Sequence, residues 1–182
     1  MRIPTNLWFV GTANQDESTF EITDKVYDRA QIIEFRDREA SFTPSRNDAP
    51  LRVSSSLLRG AFEAAQSSTG GMVSEDWDYI HRIDDFLSQR LDITFGHRVE
   101  EQMQTLSAVF VAAGGAKHEA IDMHLARKVF RKLEARHDHD MPAVLSDLMA
   151  LMQKAAPAGY GLMSFSLDVL ERKAKRIGGA LT

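Results

Sequence analysis

Cysteine is absent from the 182 residues. That removes disulfide scaffolds, thiolate metal sites and cysteine nucleophiles together. No apolar run approaches the roughly 20 residues that cross a bilayer as a helix. The N-terminus turns polar at Thr5-Asn6, too soon for the apolar core of a secretory signal. A cytoplasmic location with no membrane partner is therefore the expectation. Charge of one sign is also lacking: 22 Lys and Arg stand against 26 Asp and Glu, a formal net charge of −4. No global basic bias advertises nucleic acid. What is present is ordinary for a folded protein. Hydrophobic residues make up 43% and charged residues 26%, which excludes wholesale disorder. The length suits one domain or two small ones.

The pattern along the chain is lopsided. Leu7-Trp8-Phe9-Val10, closed by Gly11, has the length and the aromatic and β-branched content of a strand buried on both faces. Gln31-Ile32-Ile33-Glu34-Phe35 reads as a second strand. Between them, Ser18 or Thr19 caps a short helix over Phe20 to Tyr27. Residues 41–73 read as a linker or insertion punctuated by Pro44, Pro50 and Gly70-Gly71, with a helix over Ser56 to Ala65. From Ser74, a candidate cap, helical stripes follow one another. They are Ile80, Ile83, Leu87 and Leu91; Val99, Met103, Leu106, Phe110 and Ala113, stopped by Gly114-Gly115; and Ile121, Leu125, Val129 and Leu133. Then come Val144, Leu145, Leu148, Met149 and Met152 after Pro142; and Leu167, Leu170, Ile177 and Leu181. Each stripe needs a partner surface, so these helices are expected to pack as a bundle. The expected class is α+β, mainly α. About two strands in residues 1–40 precede the linker and an all-α bundle over 74–182. Trp8 and Trp77 are expected in the core.

The segment Asn6–Phe35 carries chemistry. Asn14 follows an apolar strand at its carboxyl end, where open α/β sheets place ligands, and Arg29 lies fifteen residues on. The order Leu7–Val10, Gly11-Thr12-Ala13-Asn14, Glu17, Asp24, Arg29, Ile32–Phe35 resembles the sensor 1 to arginine-finger region of AAA+ ATPases. It is most similar to the McrB-like branch, the NTPase subunits of modification-dependent restriction systems. Phe95-Gly96-His97-Arg98-Val99 resembles the start of that family's sensor 2 helix. Ala120–Val129 resembles its lid helix, and Ser164–Gly179 its last helix. The resemblance implies the end of an AAA+ α/β core followed by a helical lid. It also implies ATP or GTP with Mg2+ in the complete assembly, a homo-oligomeric ring and a nuclease partner subunit. By the same resemblance Asn14 orients the attacking water, Arg29 neutralises charge in a neighbouring site and Arg98 couples nucleotide to lid. Glu17 and Asp24 support the nucleotide site. Arginine suits both phosphate roles through its fixed charge and planar fork.

The sequence departs from the family in two ways. A single arginine, within Asp28-Arg29-Ala30, stands where the family often has several. No G-x-x-x-x-G-K-[ST] occurs, and no apolar strand ending in paired carboxylates precedes Asn14. In the family both motifs lie upstream, so the missing N-terminal half of the ATPase is an expected partner. The chain alone is not expected to hydrolyse nucleotide. The rival reading is a non-catalytic module that binds a partner ATPase or DNA, with Arg127, Lys128, Arg131 and Lys132 as the contact. A solvated helix face is the first reading of those cations, and the contact is the weaker alternative. His137-Asp138-His139-Asp140 reads as a solvated loop, since zinc needs about four ligands in closed geometry, and no metal site is expected.

Overall fold

A computed structural model describes Pro4, residues 6–13, Val26, and residues 29–33, 52–67 and 70–179. The chain divides into two units, Met1–Ala64 and Ala65–Thr182.

Among the described residues the structure is helical, with no strand and no sheet. This corrects the expected α+β class. In the first unit, Leu7–Val10 is irregular chain with Trp8 70% and Val10 89% exposed. The reading of Trp8 as a core residue is corrected with it. The physical reason is that a strand is a pairing. Aromatic and β-branched residues supply propensity, but a ladder needs a neighbour's N–H and C=O groups. Residues 31–33 run irregularly as well. Of the expected helix over Phe20–Tyr27 only Val26 is described, and it is helical; the rest lies outside the described residues. Helix α1, Ser55–Gln66, forms where the Leu57-Leu58-Ala61-Phe62 stripe predicts it, yet none of its residues is buried.

The helical unit holds the core. Helix α2, Ser74–Leu91, buries Ile80, Ile83 and Leu87 completely. Its start differs from the expected Ser74 cap: the Asp76 carboxylate reaches back to accept the Val73 N–H at 2.8 Å. Helix α3, His97–Ala112, turns Val99, Met103, Ser107 and Ala108 inward. Gly114, at φ +92°, stops it, a left-handed position that glycine takes without cost. Helix α4, Lys117–His124, runs directly into a π-helical turn at Leu125–Val129 and a 3₁₀ turn at Phe130–Leu133. The reason is visible in the stripe. Ile121, Leu125, Val129 and Leu133 are all buried, and a strict spacing of four overshoots the α-helical repeat by about 40° per step. A wider turn takes up part of that excess.

Helix α5, Met141–Ala155, carries Pro142 in its first turn, where no intrahelical N–H is required. Helix α6, Ser164–Gly179, completes the unit. Its Lys173 is buried, and the Nζ donates to the Glu134 carbonyl at 2.9 Å and to that of Arg136. Those bonds tie α6 to the chain that leaves the 3₁₀ turn. Trp77 packs partly buried against the core. No described helix is long and apolar enough to cross a membrane.

Candidate functional site

Two places in the helical unit gather polar chemistry. The first is the start of α3. Gly96 is its N-cap in extended geometry, and His97 and Arg98 are its first two residues. Arg98 is exposed. Around it, His97 Nδ1 lies 3.1 Å from Glu100 Oε2, and His81 Nε2 of α2 lies 3.5 Å from Glu100 Oε1. Asp84 Oδ1 accepts the Phe95 N–H at 3.1 Å and fixes the loop that leads into the helix. Burial pushes the Asp84 carboxyl above its ordinary value, with Asp85 and Glu100 adding to the rise. An arginine at the positive end of a helix is electrostatically disfavoured. An anion reaching the same place is favoured by the helix and by the arginine together.

The second place joins the N-termini of α2 and α4 to the loop before α6. Asp76 is 2% exposed. Its Oδ2 meets Lys117 Nζ at 2.6 Å and its Oδ1 accepts the Tyr160 hydroxyl at 2.6 Å. Burial alone would raise this carboxyl. The bonds from Lys117, Tyr160 and Val73 outweigh it and hold the group below the usual carboxylate range. Tyr160 stands edge-on to Tyr79, with ring centroids 5.7 Å apart, and 5.8 Å from the His118 ring. Its phenol is pushed well above the ordinary value by burial and by Asp76. Asp76, Lys117, His118 and Tyr160 line a cleft of about 220 Å³ with Val73, Glu75 and the Pro157–Gly159 turn. A carboxylate already holding three donors, beside a phenol unable to ionise near neutrality, is a structural tie. It gives neither a free base nor a nucleophile.

Asp122 makes a similar tie further along α4. Both its oxygens accept backbone N–H groups at the start of α6, Phe165 and Ser166, at 2.8 Å each. Burial raises its carboxyl, opposed by Ser166 and Phe165. Asp76, Lys117, Tyr160 and Asp122 were not singled out in the sequence. Their partners are distant in the chain, and no local spacing marks them.

Of the sequence-predicted residues, Asn14, Glu17 and Asp24 lie outside the described residues. Arg29 is exposed, in a turn whose N–H bonds the Val26 carbonyl at 3.1 Å. Arg98 belongs to the other unit. The four cations proposed for DNA do not form one solvated row: Lys128 is 3% exposed, and Arg127, Arg131 and Lys132 are half-buried. Each of the four takes part in an interaction within the chain. In the histidine-rich loop, Asp138 is engaged by Arg136 Nε at 2.9 Å. Among the described residues no group of three His, Asp or Glu side chains is arranged to hold a metal ion. Comparison with protein-family models, with curated proteins and with solved structures returns no match.

Proposed function

We propose that this chain works as the sensor and lid portion of a McrB-like AAA+ NTPase, acting within an oligomer on ATP or GTP. The observation that carries the reading is the ordered run Gly11-Thr12-Ala13-Asn14, Glu17, Asp24 and Arg29, followed by a helical unit with Arg98 exposed in the first turn of α3. Phosphoryl transfer gains from positioning and charge neutralisation far more than from covalent help. Asn14 orients the attacking water. Arg29 lends positive charge to the site of an adjacent subunit, a contribution of roughly 10³–10⁵ in rate for arginines of this kind. Arg98 senses the terminal phosphate and ties it to α3. By the resemblance, Mg2+ is held with the nucleotide by the P-loop half of the assembly, through one or two carboxylates and the phosphates. DNA restriction with a nuclease subunit is the process this machine serves.

The test combines the chain with a McrB-like subunit that carries a P-loop and measures NTP hydrolysis. The wild-type chain raises turnover, while Asn14→Ala, Arg29→Ala and Arg98→Ala each remove the increase. Turnover indifferent to all three substitutions defeats the reading, as does robust hydrolysis by the chain alone that Asn14→Ala abolishes.

A further inference from the structure

Within the helical unit Gly70-Gly71 precedes α2, and both glycines lie hard against α3. A Cβ on Gly70 would stand 2.9 Å from Cβ and Cγ1 of Val111, and one on Gly71 would run into the amide nitrogen of Gln104. At Gly70 a Cβ would push the segment off the helix, because Val111 is branched and short, whereas at Gly71 a Cβ would displace the end of the Gln104 side chain. The Gln104 carboxamide also accepts the Met72 N–H through Oε1 at 3.2 Å. The next N–H, of Val73, is taken by Asp76 of α2. The incoming backbone is thus satisfied first by α3 and then by α2. Gln104 is half-buried, beside the fully buried Met103. Arg98 lies six residues earlier on the same helix, about 9 Å along its axis.

We propose that Gln104 is a positioning residue that fastens the Gly70–Val73 segment to α3, so that Arg98 and this segment before α2 move as one body. The coupling rests on the phosphate role given to Arg98 above, whereas the clamp is independent of it. In the proposed function, α3 then acts as a lever. A phosphate engaged at Arg98 reorients the helix, and the Gln104 clamp passes that motion to the segment at Gly70–Val73.

The clamp is tested by amide hydrogen exchange on the full chain, with Ile83 and Leu148 amides as controls for an intact core. Gln104→Ala and Gly71→Ala are each expected to speed exchange at Met72 about five- to tenfold. Gln104→Glu keeps an acceptor oxygen and holds the rate within about twofold of wild type. Equal Met72 exchange in wild type and Gln104→Ala overturns the clamp. The coupling is then tested by titrating sodium tripolyphosphate and following the Arg98 Nε–H and Met72 N–H resonances. Both move in wild type, and only Arg98 moves in Gln104→Ala. A Met72 response that survives Gln104→Ala overturns the coupling. Absence of any Arg98 response in wild type sinks the phosphate role and the coupling with it, while the exchange result still decides the clamp.

Discussion

Tyr160 donates its hydroxyl hydrogen to Asp76 Oδ1 at 2.6 Å across 84 residues of chain, and the same carboxylate holds Lys117 and the Val73 N–H. One side chain therefore ties α2, α4 and the loop before α6. Tyr79, in ring contact with the half-buried Tyr160, is fully buried, but its hydroxyl has no partner. The two tyrosines should respond differently to loss of oxygen. Tyr160→Phe is expected to cost about 1 kcal/mol, while Tyr79→Phe costs close to nothing or stabilises. Asp76→Ala, which strands Lys117 and an N–H, should cost about 2–4 kcal/mol. Urea midpoints of the three variants decide it. A Tyr79→Phe loss equal to that of Tyr160→Phe would show that the Asp76 bond contributes nothing specific.

The apolar skeleton was legible in the sequence for a simple reason: a helix buries residues its own spacing brings together. Ile80, Ile83, Leu87 and Leu91 needed no knowledge of their partners to be placed inside, and they are inside. The α3 stripe was read less well. Leu106 and Phe110 are only half-buried, while Ser107 is fully buried. A small polar residue at a close helix contact leaves no hydrophobic signal. Asp76 and Asp122 escaped notice because their meaning lies in Tyr160 and Ser166, 84 and 44 residues away. The strand expectation at Leu7–Val10 failed on the same ground. Pairing is decided by a neighbour, and propensity alone names none.

His124 makes stability depend on pH. It is 2% exposed, hydrogen-bonded to the Val99 backbone, with Nε2 unpartnered. Burial, with Lys128 nearby, lowers its pKa from 6.5 to about 4. The folded state thus binds the proton less readily than the unfolded chain. Stability is fully present above about pH 6.5 and is lost as pH falls toward 4, at roughly 1.4 kcal/mol per unit. Between pH 7 and pH 4.5 the wild type should lose about 2–3 kcal/mol more than His124→Gln, which offers an N–H to Val99 and does not titrate. Parallel pH profiles for the two proteins would assign the acid sensitivity to other groups.

Asp122 separates the cost of a buried charge from the value of its bonds. Its raised carboxyl means that ionisation is paid for by folding, and neutralising it removes that cost. Yet the charge faces two backbone N–H groups at the start of α6. Asp122→Asn places an NH2 where an acceptor is needed and leaves one of them unsatisfied. The expected result is a loss of about 1–3 kcal/mol, with faster amide exchange in the first turn of α6 and unchanged exchange in α2. A neutral or stabilising Asp122→Asn would mean that the desolvation cost outweighs both bonds.

Arg98 should show opposite signs in stability and function. It is exposed in the first turn of α3, where a cation works against the helix dipole and an anion works with it. Arg98→Ala removes an unfavourable charge and buries nothing new, so the thermal midpoint should stay level or rise slightly. Arg98→Glu should stabilise by a few tenths of a kcal/mol, the gain trimmed by the acid at Glu101, three residues on. In the proposed NTPase assembly both substitutions should abolish the chain's stimulation of hydrolysis. A residue kept only for the fold would lose stability on replacement, whereas one kept for phosphate loses activity and spares the fold. The pair of measurements is a thermal melt of the chain and a turnover assay with the P-loop subunit. A destabilised Arg98→Glu with full stimulation would remove Arg98 from the mechanism.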